Sequence, residues 1–276
     1  MSAVRSVLVG TCGLLLLTSC ASGVPKATTV RRSAPVATAS QSASPPVSVE
    51  VGKSYVEVLA SGNGLGATRE GLTLTAPNSV AYRYLDHAAN MQEASIDEGD
   101  PPYLKQAVVP VGGDSFKLCS DKLTCATFGG FLVNQDGKLV DLTINNQPVG
   151  PRLTAGNDQP VTAAGAKFTL LTAYQSVMSN TWFITVKVQT GAEPITINPK
   201  LWSYRGPDGK PLTWVGSTAA THVVSKASLI VIVMFDSAKA GGRLTVGGCR
   251  VLGSSAPGDE SRDCPSAAFS AVLKVG

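Results

Sequence analysis

Hydrophobic positions recur with two periods along this chain. Between residues 79 and 98, Val80, Tyr84, His87/Ala88, Met91 and Ala94 return at steps of three and four, the spacing of one face of an α-helix. Pro77-Asn78-Ser79 precedes the run and offers an N-cap, and Gly99 with Pro101-Pro102 follows as a stop. The pattern predicts one amphipathic helix over 79–98. Beyond it the apolar stretches are short and strand-like, at 107–111, 115–119, 124–128, 131–133 and 139–144. Asp136-Gly137 separates the last two, and glycine supplies the positive φ that a hairpin turn needs. One helix laid on a small antiparallel sheet is an α+β unit.

Past residue 160 the period is almost entirely two. Residues 167–174 alternate, with Phe168, Leu170 and Tyr174 expected on one side. Trp182, Ile184, Val186 and Val188 alternate against Phe183, Thr185, Lys187 and Gln189. Further strands are expected at 195–197, 201–204, 222–224, 228–235, 243–246 and 269–275, with Pro207-Asp208-Gly209-Lys210 as a turn. Regular short strands with Gly/Pro turns predict a β-sandwich. The Gly/Pro-rich stretch 151–165 marks a boundary. Ahead of the helix, residues 55–59 read as a strand and Gly62-Asn63-Gly64-Leu65-Gly66 as a turn. A phosphate loop would need a strand before those glycines and a helix after them. The expected fold is mainly β with one α+β part. A small helix-on-antiparallel-sheet domain (51–155) is followed by an immunoglobulin-like β-sandwich (160–276).

The N-terminus changes the picture. Arg5 is followed by an apolar run over 7–17, the length of a signal-peptide core and short of the ~20 residues that span a bilayer. It ends in Leu17-Thr18-Ser19-Cys20, which resembles the lipobox of bacterial lipoproteins. The resemblance implies a signal peptide over 1–19 and a diacylglyceryl group on the Cys20 sulfur, with acylation (palmitate among the chains) holding the protein to the outer face of the cell membrane. Acyl chains contribute about 0.8 kcal/mol per buried CH₂, so two or three anchor stably. Residues 21–49 are Ala-, Ser-, Thr-, Pro- and Val-rich without an aromatic residue, so a disordered tether is expected over 20–50.

An exported chain meets an oxidising compartment. Cys119, Cys125, Cys249 and Cys264 remain in the exported part and read as two disulfides. The local pairing, Cys119–Cys125 and Cys249–Cys264, is favoured because each pair brackets a turn-like segment. Zinc would recruit Cys/His pairs at short spacing, and the two histidines, His87 and His222, lie far from the cysteines.

Two wider resemblances follow. The order of elements in the first unit is loosely similar to cystatin- or NTF2-like domains. Residues 181–188 with Thr190-Gly191, then Pro207-Asp208-Gly209-Lys210, then the apolar run 227–235 leading to Gly242 and Leu244, resemble the telokin-like, immunoglobulin-related domains of bacterial exported proteins. That likeness spans about 161–246. It implies a sandwich fold and an extracytoplasmic setting and brings no catalytic residue with it.

Composition narrows function without naming it. The net charge is +4 over 276 residues, and no basic cluster exceeds Arg31-Arg32, so nucleic acid is not an expected partner. Asp86-His87 is the one adjacent acid–imidazole pair, but no Gly-x-Ser-x-Gly accompanies it, and Gly113-Asp114-Ser115 lacks the glycines of a nucleophile loop. Asn134, Asp136 and Asp141 only partly match a calcium loop and are explained by the hairpin. The acidic run at Asp97, Glu98 and Asp100 reads as a solvated helix end, and His222 as an edge-strand residue. Trp182 and Trp202 read as core, and Trp214, beside a turn, as the tryptophan most open to a ligand or partner. The expectation is a membrane-anchored, non-enzymatic binding or protein-interaction lipoprotein of the cell envelope without cofactor or metal. It would use Trp214 and His87 as contact residues toward an envelope protein or a small ligand. Two alternatives stand: a carrier of a small apolar ligand held between helix and sheet, and an envelope hydrolase with His87 as base.

Overall fold

The computed structural model describes residues 47–61, 65–99, 105–119, 124–218, 221–237, 239–250 and 268–276. The leader, Cys20, nearly all of the expected tether, and Cys264 lie outside them. The fold is mainly antiparallel β with a helical layer, and the described residues fall in one compact unit.

Three helices come first: α1 (Val47–Ala60), α2 (Leu65–Gly71) and α3 (Val80–Asp97). Helix α1 corrects two expectations. The stretch 55–59 is helical rather than a strand, and the tether gives way to helix by Val47. Its β-branched valines imitate a strand, but the buried positions Gly52, Tyr55, Val56 and Ala60 follow the helical period. Gly52 is required there, because a Cβ would run into the Phe131 ring. Residues 65 and 66, expected in a turn, open α2. Helix α3 falls where the pattern predicts it, and the Ser79 hydroxyl caps it by accepting the Tyr82 amide at 3.1 Å. The Tyr55 hydroxyl donates to the Ala81 carbonyl at 2.9 Å, joining α1 to α3.

Sheet A is an antiparallel meander of β1 (Val108–Gly112), β2 (Ser115–Cys119), β3 (Cys125–Val133), β4 (Leu139–Ile144) and β5 (Gln147–Pro148), in that spatial order. The expected strands at 124–128 and 131–133 are one bulged strand, β3. The Asn134 side chain accepts the amides of Asp136 and Lys138, and Gly137 has φ +71°, so the β3–β4 turn is built as its sequence implies. Cys119 and Cys125 face each other across β2 and β3 and form the expected disulfide. One face of the sheet, with Phe116, Phe128, Phe131, Leu142 and Ile144, packs on Tyr55 and Val56 of α1 and Leu85 of α3.

A β-sandwich follows. Sheet B has the order β12 (Trp214–Ser217), β14 (Ser228–Phe235), β9 (Trp182–Gln189), β8 (Ala166–Gln175), β6 (Leu153–Ala155), with β7 (Val161–Ala163) also on β8. Sheet C has β11 (Ser203–Arg205), β15 (Gly242–Arg250), β10 (Ile195–Ile197) and β13 (Thr221–Val223), with β16 (Phe269–Val275) on β15. Segment 151–165, read as a boundary, supplies β6 and β7 to sheet B. Trp182, Ile184, Val186 and Val188 all enter the core between the sheets, as their alternation predicts, together with Trp202, whose indole N–H donates to the Gly247 carbonyl at 2.8 Å. Cys249 is disulfide-bonded.

Strand β8 departs from simple alternation. A β-bulge between Leu170 and Thr172 advances the register by one residue. Phe168, Leu170 and Ala173 face the sandwich core, whereas Tyr174 joins the core of the α+β part. The expectation that Tyr174 shares a side with Phe168 and Leu170 is thereby corrected. Gly156 makes room for the bulge, donating its amide to the Leu171 carbonyl at 2.7 Å where a Cβ would collide with the Leu170 carbonyl.

Helix α3 therefore has three occupied faces. One meets sheet A through Ala81 and Leu85. One crosses sheet B, where Met91 and Ala94 pack on Ile230 and Ile232 of β14. The third holds α2: Arg69 donates to Asp86 at 2.6 Å, Asn90 at 2.9 Å and Glu93 at 3.1 Å. At its end the Asp97 carboxylate accepts the Ile230 amide at 3.1 Å, so part of the acidic run does structural work beyond solvation. None of the described helices is long and apolar enough to cross a membrane.

Candidate functional site

The helix and the two sheets it joins do not close completely. A cavity of about 320 Å³ remains between α3, the end of α1, sheet A and the outer face of sheet B. Helix α3 contributes Tyr84, His87 and Met91, sheet A contributes Leu118 and Phe128, and sheet B contributes Tyr174 and Phe183. The bulge in β8 is what presents Tyr174 to this space. The stripe Tyr84, His87/Ala88, Met91 that marks α3 in the sequence is thus the stripe that lines the cavity.

The walls are largely aromatic. Tyr84 meets Tyr174 edge-on with ring centroids 5.1 Å apart, and Phe128 at 6.4 Å. The His87 imidazole lies 5.7 Å from the Tyr174 ring. Such rings bury large areas and offer both faces and edges to a guest. Polar groups are few. Gln92, Gln106 and Ser176 also line the space. Gln92 is held by the Thr68 hydroxyl at 2.7 Å, and the Ser176 hydroxyl oxygen accepts the Met178 amide at 3.1 Å. An apolar concavity with a few placed polar groups is the usual form of a small-molecule site.

His87 is one of the titratable groups that line it, with Tyr84 and Tyr174. It is 5% exposed, and its Nδ1 lies 2.8 Å from the Thr172 hydroxyl oxygen. Burial lowers its pKa from 6.5 to about 4, because the charged imidazolium would lose its hydration. The ring is neutral at physiological pH. Burial also raises Tyr84 and Tyr174 above the ordinary phenol value, with the like charge of Tyr174 adding to the effect on Tyr84. Both phenols stay protonated.

The other singled-out residues fall elsewhere. Asp86, the sequence neighbour of His87, turns its carboxylate to Arg69 and Asn90. The Ser115 hydroxyl lies by Asp114 at the β1–β2 turn, and no hydrogen bond links it to His87. His222 is exposed on β13, its Nδ1 3.4 Å from the Thr196 hydroxyl. Trp182 and Trp202 are buried, and Trp214 is 36% exposed at the start of β12, the edge strand of sheet B. Thr172, Tyr174 and Phe183 carry no site signal in the sequence, where Tyr174 and Phe183 read only as strand residues, because each reaches the site through long-range strand pairing.

No family model matches the chain, and no curated protein matches it. A crystal structure of the yjhA protein from Bacillus subtilis aligns with 43% of this chain and 96% of its own, at 12% identity and a TM-score of 0.32.

Proposed function

We propose that this protein is a lipid-anchored, extracytoplasmic binding lipoprotein that holds a small apolar molecule in the cavity between α3 and the sheets. The cavity carries this reading: about 320 Å³, aromatic walls from three secondary-structure layers and a neutral buried imidazole at its side. The lipobox-like Leu17-Thr18-Ser19-Cys20 supports the anchor. Native mass spectrometry of the full-length protein taken from membranes tests it. A bound small-molecule mass is expected, and Ala88→Trp, which places an indole in the cavity, should remove it. A clean apo mass from several preparations defeats the reading. Labelling with palmitate should mark the wild type and spare Cys20→Ala.

One observation favours a protein partner as a second role. Trp214 and Val215, 36% and 49% exposed, sit together on the open edge of sheet B. A paired apolar surface on an unpaired strand edge is suited to an envelope protein. A photo-crosslinker at position 215 should then capture one recurrent envelope protein that a crosslinker at Lys187 does not.

A further inference from the structure

Resting on the ligand-binding reading, the hydrogen-bond order around His87 specifies what the ligand offers. The His87 Nδ1 lies 2.8 Å from Thr172 Oγ1, and Thr172 Oγ1 lies 2.7 Å from Thr185 Oγ1. Thr185 Oγ1 is in turn 3.2 Å from the Thr172 carbonyl oxygen and accepts the Thr172 amide at 3.2 Å. Each hydroxyl has one proton to give. With Thr185 donating to the carbonyl, Thr172 donates to Thr185 and the imidazole donates from Nδ1, so all three contacts become hydrogen bonds. In the reverse order, Thr185 donates to Thr172 and Thr172 donates to a bare Nδ1. The contact to the Thr172 carbonyl is then unused. The first order uses every contact in the chain, so it wins. The neutral ring carries its proton on Nδ1, and Nε2 is a lone pair with no partner among the described residues, on a ring that lines the cavity.

The rest of the lining sets size and charge. None of the lining residues is Lys, Arg, Asp or Glu, so an ionised guest would lose its hydration without compensation. The volume is about twice that of a cavity of roughly 150 Å³ that takes benzene. We infer that the ligand is a neutral one- or two-ring molecule of phenol or indole type, which donates an O–H or N–H hydrogen bond to His87 Nε2.

The test compares naphthalene, 1-naphthol and 1-methoxynaphthalene as probes of the full chain carrying Cys20→Ala. 1-Naphthol should bind about tenfold tighter than either of the other two, the worth of one added hydrogen bond. His87→Phe should remove that preference. Thr172→Val keeps the shape of β8 and deletes the hydroxyl that fixes the ring, and it should shrink the preference in a folded protein. Equal affinities for the naphthol and naphthalene, or a preference that survives His87→Phe, overturn the donor assignment and leave the cavity reading standing. Failure of all three probes to bind overturns the cavity reading itself.

Discussion

At the scale of single residues, His87 makes stability depend on pH. Its folded pKa of about 4 lies below the ordinary 6.5 of an unfolded chain. Between those values the unfolded state binds more protons, so stability rises with pH across the window. The contribution of the neutral ring is fully present above pH 6.5 and is lost as pH falls toward 4. The wild type should lose on the order of 2 kcal/mol between pH 7 and pH 5 through this residue alone. His87→Gln, whose amide can still reach Thr172, removes the titration. Urea unfolding of both proteins at pH 7 and pH 5 gives the comparison, and the difference between them isolates His87 from the carboxylates. Equal losses in both would mean that the ring is hydrated and not buried as described.

At the scale of elements, the bulge in β8 is what turns a plain sandwich strand into one wall of a site. It places Thr172 beside His87 and Tyr174 against Tyr84. Gly156 permits it, because any side chain there meets the backbone carbonyl of Leu170, which cannot swing aside. Gly156→Ala should therefore cost about 1–3 kcal/mol, the range for forcing a methyl into a packed site, and should weaken ligand binding in the fraction that folds. Urea unfolding and probe binding on the same sample check both halves. The bulge also marks where sequence reading stops. Strict alternation placed Trp182, Ile184, Val186 and Val188 correctly, and the 3.6-residue period with Ser79 as cap placed α3. In both cases local pattern and burial agree. Alternation failed one residue past Leu170, since an inserted residue leaves no local mark. It failed over 55–59, where valines prefer strands and long-range packing of Tyr55 and Val56 in the core with sheet A and α3 accompanies a helix. The cavity was legible only as the apolar stripe of α3. The hydrogen-bond partner of His87 lies 85 residues away in sequence, and nothing in Thr172 or Phe183 by itself announces a site.

At the scale of the whole molecule, α3 decides whether the α+β part and the sandwich behave as one body. Its Leu85 is fully buried in the core on sheet A, its Ala94 packs on Ile230 and Ile232 of sheet B, and Asp97 holds the backbone of β14. Tyr174, from the sandwich, sits in the core of the α+β part. Neither part can lose α3 without exposing apolar surface on the other, so unfolding should be a single cooperative transition. The chain carries its own reporters for this. All three tryptophans lie in the sandwich region, at positions 182, 202 and 214, and among the described residues the α-helices α1, α2 and α3 all lie ahead of sheet A. Tryptophan fluorescence thus follows the sandwich, and the helical circular dichroism signal follows the α+β part. Leu85→Ala deletes a side chain of the α+β core alone and should cost about 2–5 kcal/mol. If α3 couples the parts, both signals shift together, to the same lower temperature or urea midpoint. If the helical signal moved while fluorescence kept its wild-type midpoint, the parts would unfold independently. A cavity walled by both would then open without the sandwich melting.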